Sequence, residues 1–261
     1  MTSRPKPPAP GRSPRVASHR PFVLLNLAMT ADGKIATAAR KTTTFGSPRD
    51  REHLYELRAT ADAILCGART VIETGATLGN GGSRFAQRRR VAGLSRYPVR
   101  VLVTGAGSIP PTAPLWSRNW GPIVVFTTTR AGEQAITRFR KNSDSVRVYP
   151  EDSIDFVDAL RWLQREYGVR RVLGEGGGEL NDALFRSELV DEINLTWCPW
   201  IFGGRAAPTL SDGIGFPTLA QAASFRLHSV TPAGNELFLV YRSRGYFPFC
   251  EPRRFYSGIR V

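Results

Sequence analysis

Apolar runs of strand length recur along the chain, separated by stretches with helical spacing. Phe-Val-Leu-Leu-Asn-Leu-Ala-Met (22–29) is the first run. Thr30-Ala31-Asp32-Gly33-Lys34 follows and predicts a turn in which Gly33 supplies a permissive backbone. Ser47-Pro48 predicts an N-cap followed by proline at the first helical position. That helix runs toward Thr60, with Leu54, Leu57 and Ala61 on its apolar face. Residues 61–67 predict a short buried strand ending in glycine, then a helical turn from Ala68. Further apolar strands are expected at 99–105, 122–128 and 145–150, and helices at 131–141 and 153–167. Residues 75–98, rich in Gly, Arg and Ser, read as a long loop. The segment 169–204 reads as strand, Gly-rich turn, helix and long strand, and 236–243 closes the sheet. Strands alternating with helices imply parallel crossovers, hence an α/β fold with a mostly parallel central sheet and helices on both faces.

Composition narrows this picture. With 41% apolar residues in a chain of 261, a packed core is expected and wholesale disorder is not. No run of about 18 apolar residues exists to span a membrane, and an apolar secretory stretch is not expected at the N-terminus. Cys66, Cys198 and Cys250 lie far apart, which argues against a disulfide framework or zinc ribbon and suits a reducing cytoplasm. His19, His53 and His228 show no ligand spacing, so no metal site is expected, and His53 is placed on a helix surface. The net charge of +14 is concentrated. Residues 1–20 hold five Lys or Arg with no acid, residues 74–132 eight Arg with no acid, and residues 242–261 five Arg against Glu251. Residues 1–20 also hold five Pro and read as a disordered tail. Basic stretches attract phosphate, but no zinc finger, aromatic RNA-binding motif or basic heptad helix accompanies them, so nucleic acid is not the expected partner.

Three strand–helix junctions carry candidate chemistry. Val172-Leu173-Gly174-Glu175-Gly176-Gly177-Gly178 opens a helix. Glycines there let a phosphate approach the backbone, and the exposed N–H groups at the helix start bind the anion. The spacing is neither a dinucleotide fingerprint nor a P-loop. Glu175 places a carboxylate at a strand's C-terminal end, where open α/β sheets hold ligands. Asp32-Gly33-Lys34 and Gly67-Ala68-Arg69-Thr70 are similar junctions, and parallel strands bring all three to one sheet edge.

At these residues the chain resembles the riboflavin-biosynthesis pyrimidine reductases. These comprise the C-terminal reductase domain of bacterial bifunctional deaminase-reductases and the stand-alone archaeal and fungal enzymes. The resemblance rests on Asn26–Thr37, Ser47-Pro48, Leu57-Arg58-Ala59, Ala63–Val71, Glu175–Leu180, Leu189-Val190-Asp191-Glu192 and Ile201-Phe202-Gly203-Gly204. It covers residues 21–242 and leaves a tail at 1–20 and a basic aromatic extension at 243–261. It implies a dihydrofolate-reductase-like fold, a cytoplasmic homodimer, and NADPH-dependent reduction of a phosphoribosylamino-pyrimidine at the sugar C1′ to give a ribityl chain. By resemblance, Ala28, Thr44, Gly67, Ala68, Thr70, Gly176, Gly177 and Gly178 bind NADPH. Asn26, Thr42, Arg58 and Glu175 match substrate positions, with Arg58 on the ribose phosphate. Asp32 and Glu175 are the candidate catalytic residues, Asp32 as the group that positions the substrate or the turn and not as an acid.

Asn26 stands where the archaeal and fungal type carries Asn and the bifunctional type Lys, which points to an amino-bearing pyrimidine. No deaminase zinc site is expected upstream, because residues 1–20 cannot hold it. One departure stands out. The family's Asp-Asp-Pro-x-Leu segment is replaced by Thr74-Gly75-Ala76-Thr77-Leu78, followed by an Arg-rich stretch at 84–90 that is a candidate substitute for the lost basic contact. A same-fold reductase of another pyrimidine- or pteridine-like ring is therefore the second reading. A nucleotide-binding protein without catalysis, its basic tails serving nucleic acid, is the third.

Overall fold

The computed structural model describes residues 20–40, 44–117, 120–150 and 152–244. Both terminal segments are thus largely outside it, as is Thr42. The first strand, β1 (Phe22–Thr30), is followed by α1 (Pro48–Arg58), β2 (Ala63–Gly67), α2 (Ala68–Thr74), α3 (Ser83–Val91) and β3 (Val99–Thr104). Then come β4 (Ile123–Thr128), α4 (Gly132–Asn142), β5 (Ser145–Tyr149), α5 (Phe156–Tyr167), β6 (Arg171–Gly174) and α6 (Gly178–Arg186). The chain continues through β7 (Glu192–Cys198), β8 (Phe225–Ala233) and β9 (Glu236–Ser243).

These strands form one sheet in the order β5-β4-β3-β2-β6-β1-β7-β9-β8. The run from β5 to β7 is parallel, and β9 and β8 add an antiparallel hairpin at one edge. Alternate strand residues serve opposite faces. Val23, Leu25, Leu65, Val101, Val124 and Phe126 pack on α5 and α6 through Leu160, Leu163, Leu184 and Phe185. Ile64, Leu102, Ile123 and Val125 pack on α2 and α4 through Val71, Ala135 and Phe139. Leu24 and Leu173 meet Leu57 of α1. The α/β reading with helices on both faces is therefore what the chain adopts. Among the described residues no helix is long and apolar enough to cross a membrane.

Two elements depart from expectation. The expected loop at 75–98 contains α3, a helix whose sequence Ser-Arg-Phe-Ala-Gln-Arg-Arg-Arg-Val has almost no apolar face. Tertiary contacts hold it: Phe85 packs on Tyr55, and buried Arg89 donates to the carbonyls of Arg58, Ala61 and Ser95 at 2.5–2.8 Å. The sheet is closed by β8, not by 236–243. The edge strand β8 is mostly exposed and so lacks the apolar run that would have marked it.

Several arginines of 74–132 are engaged within the fold. Arg100 is fully buried, its terminal nitrogens donating to the carbonyls of Leu115, Ser117 and Gly121 at 2.7–2.8 Å. Arg84 and Arg88 of α3 pair with Glu52 and Glu56 of α1. His53, expected on a surface, is tucked edge-on against Phe238, and burial lowers its pKa.

Candidate active site

A cleft of about 740 Å³ crosses the C-terminal ends of β1, β6, β2, β3 and β4. That is where the loops of a parallel sheet splay apart and leave a crevice. Its lining brings together Asn26, Ala28, Thr44, Gly67, Ala68, Thr70, Glu175, Gly176, Gly177 and Gly178, nearly the whole set of expected site residues.

The turn after β6 leads into α6, with Gly177 as the N-cap. No glycine from 174 to 178 has a positive φ, so these positions are glycine for space and not for a special dihedral. A side chain at Gly177 would meet only the Thr70 hydroxyl, at 3.2 Å. One at Gly178 would collide with the Asp212 carboxylate. The turn is thus a cradle that a Cβ would fill, at the end of a helix whose first N–H groups lack intrahelical partners.

Glu175 follows β6 directly, and its N–H bonds Leu65 O across to β2 at 2.9 Å. Both carboxylate oxygens are gripped by Arg58 through Nε and Nη2, at 2.6 and 2.5 Å, while Arg58 Nη1 donates to Gly79 O at 2.7 Å. Burial works against the Arg58 cation, but Glu175's charge and hydrogen bonds outweigh it and raise its pKa. The guanidinium expected on the substrate phosphate is therefore engaged in orienting Glu175. Arg58 does not line the main cleft but backs a second cavity of about 340 Å³ walled by Tyr55, Asn80, Arg96, Tyr97 and Trp120.

Asp32 holds the turn after β1. It does not line the cleft. Its carboxylate accepts from Thr30 Oγ1 at 2.5 Å, Gly203 N at 2.7 Å and Phe202 N at 3.2 Å. The Thr30 bond is the main cause of a lowered pKa. Asp32 is thus held ionised and staples the Ile201–Gly204 loop to the turn after β1, a turn-positioning contact outside the cleft. Gly33 has φ +81, the left-handed conformation expected of it.

Asn26 is 8% exposed and its Oδ1 has no hydrogen-bond partner. An unpaired buried amide oxygen costs about 1–3 kcal/mol, and in a cleft wall a ligand donor can recover that. Sequence reasoning missed Asp50, a half-buried acid in the same cleft. Its helical position was legible, but not the direction of its carboxyl. Of the Arg-rich stretch 84–90 considered as a substitute for the lost basic contact, Arg84, Arg88 and Arg89 are engaged in α1–α3 packing, and Arg90 is exposed.

Fold and cleft together define an α/β protein with a ligand crevice across the C-terminal strand ends of a mostly parallel sheet. The model of the RibD C-terminal domain matches residues 21–239, and the chain belongs to that family. It is 33% identical over 228 residues to the 2,5-diamino-6-ribosylamino-4(3H)-pyrimidinone 5′-phosphate reductase of Methanothermobacter thermautotrophicus, covering 87% of this chain and 100% of the relative. It is also 33% identical over 197 residues to the reductase of the same name from Archaeoglobus fulgidus, covering 76% and 89%. Among solved structures, Acinetobacter baumannii RibD matches with TM-score 0.67 at 22% identity, over 87% of this chain and 59% of that one. The riboflavin biosynthesis reductase of Saccharomyces cerevisiae matches with TM-score 0.61 at 17% identity, over 87% and 92%. These two likenesses concern the fold.

Proposed function

We propose that the chain is an NADPH-dependent reductase of a phosphorylated ribosylamino-pyrimidine in riboflavin biosynthesis, and that the diamino-pyrimidinone is preferred over its deaminated counterpart. The observation that carries this reading is the unpaired Asn26 amide oxygen in the wall of the same cleft that holds the Gly176–Gly178 turn. The relatives' names supply the substrate class. An Asn oxygen accepts from an exocyclic amine, and its NH₂ donates to a ring acceptor. Glu175, fixed by Arg58, presents a carboxylate to a sugar hydroxyl or ring N–H. The glycine turn, Ala28, Thr44, Gly67, Ala68 and Thr70 would hold the dinucleotide, with its diphosphate at the α6 N-terminus. When bound there, the dihydronicotinamide would supply hydride for the C1′ of the ring-opened imine. Thr42, outside the described residues, keeps its assignment to the substrate.

Preference for NADPH over NADH is assigned to the end of β4, where Thr128 lines the cleft. The hydroxyls of Thr127, Thr128 and Thr129 donate to the carbonyls of Thr104, Gly105 and Pro150. Arg130, just beyond β4 and beside Asp152 at 3.8 Å, is the guanidinium assigned to a 2′-phosphate. The homodimer and the cytoplasmic setting belong to the same proposal. Exposed Leu227 and Val230 on β8 are an apolar edge suited to a second copy, which light scattering would test. NADPH oxidation with the diamino-pyrimidinone and amino-uracil phosphoribosylamines tests the main reading. Preferred turnover of the first is expected, and no turnover of either would refute it. Turnover of a different pyrimidine or pteridine would favour the second reading that the altered 74–80 segment keeps open.

A further inference from the structure

Reducing a C=N bond consumes one hydride and one proton, and the cleft must supply the proton. Most of its acids are paired with other groups or open to solvent. Asp32 lies outside the cleft, Glu175 has both oxygens on Arg58, Glu179 pairs with Arg69, and Asp212 accepts from Thr209 N and Oγ1. Asp152 is fully in solvent beside Arg130, and Glu73 lies exposed on α2.

Asp50 differs for a reason visible in its helix. It is the third residue of α1 after the Ser47 cap, and its N–H bonds Ser47 Oγ at 3.3 Å. An acid at that position ordinarily reaches back to the N–H of the cap residue. Here Glu236, at the start of β9, takes that place. Its two oxygens accept from Ser47 N at 2.7 Å and Ser47 Oγ at 2.6 Å. Asp50 is thereby released from capping, and its carboxyl lies in the cleft against Gly46, where any Cβ would collide with it. No ion pair to Asp50 occurs among the described residues; the adjacent Arg49 pairs with Glu56 and Glu52.

We propose that Asp50 is the proton donor of the reduction, an inference that rests on the reductase reading above. As hydride adds to C1′, the C=N π pair moves to the nitrogen, which takes the proton from the Asp50 carboxyl. The resulting carboxylate is reprotonated from solvent. The surroundings favour the protonated form of Asp50. Burial raises its pKa most, the Thr196 hydroxyl of β7 works in the opposite direction, and Glu236's charge raises it again. Cys198 of β7 faces the same acids, and burial, with Glu236 and Asp50, pushes its thiol up to about 12, so it adds no charge at neutral pH.

The test measures kcat against pH for wild type, Asp50→Asn, Asp50→Glu and Glu236→Gln, with NADPH affinity from fluorescence quenching and thermal melting as controls. Asp50→Asn should lower kcat by about 100-fold or more, leave NADPH affinity unchanged and abolish the alkaline limb. Asp50→Glu should restore part of the rate. Glu236→Gln removes a negative neighbour and should move the alkaline limb to lower pH, which a merely structural Asp50 would not do. Carboxyl NMR of the unliganded protein should show Asp50 titrating above the usual aspartate range in wild type and closer to it in Glu236→Gln. A rate within threefold of wild type in Asp50→Asn, an unmoved limb in Glu236→Gln or an ordinary Asp50 titration would overturn the assignment. Absence of turnover by wild type on either phosphoribosylamine would overturn the reading beneath it.

Discussion

Arg89 and Asn26 are both buried polar side chains, and the fold treats them in opposite ways. Around Arg89, under α1 and α3, polar groups meet inside the protein: a guanidinium 1% exposed donates to three backbone carbonyls. Burial pushes its pKa down to about 10, which still leaves it a cation at neutral pH. In the cleft, Asn26 keeps an oxygen unpaired and Asp50 is excused from capping its own helix. Saturated polar groups build structure, and unsaturated ones are held for a ligand that completes them.

The comparison breaks most visibly at Arg58, which touches both regions. Arg58→Met should cost about 3–5 kcal/mol, because it strands Glu175 without its cation. Denaturant titration reads the stability, and turnover should fall with it as Glu175 loses its orientation. A variant as stable as wild type would show that the pair contributes little. Arg89→Met should cost about 3 kcal/mol by removing the side-chain donors to three carbonyls, again by denaturant titration, with kcat per folded molecule unchanged. In the cleft the opposite pattern is expected. Gly177→Val should raise the NADPH dissociation constant by roughly 100-fold, about 2.7 kcal/mol. Its melting temperature should be preserved, since its only close neighbour is a hydroxyl. Normal affinity in that variant would move the diphosphate elsewhere.

Smaller effects sharpen the contrast. Asn26→Lys should shift the kcat/KM ratio toward the uracil substrate by roughly 5–150-fold, because an ammonium only donates and favours a carbonyl at that edge. An unaltered ratio would point to the 74–80 segment as the specificity determinant. Deleting residues 2–18 should leave turnover unchanged; a large drop would mean that the tail reaches the cleft.

The sequence by itself determined the α/β class, the parallel strands, the capped start of α1 and the glycine turn before α6. Each is written in local periodicity or turn chemistry: alternate strand residues filling two cores, Ser47-Pro48 opening a helix, Gly33 at positive φ. Tertiary structure alone decided what the polar side chains do. The helix α3 forms because Phe85 and Arg89 find partners on α1 and in the 58–61 turn, far from any apolar stripe of its own. Asp32 became a loop staple because the chain returns at 202–203 with two N–H groups aimed at it. Arg58 and Glu175, 117 residues apart, became a pair, and Glu236, arriving at the very end of the domain, freed Asp50. A carboxylate or guanidinium pairs with whatever the fold brings within about 3 Å. Its partner is a property of the assembled chain, not of its neighbours in sequence.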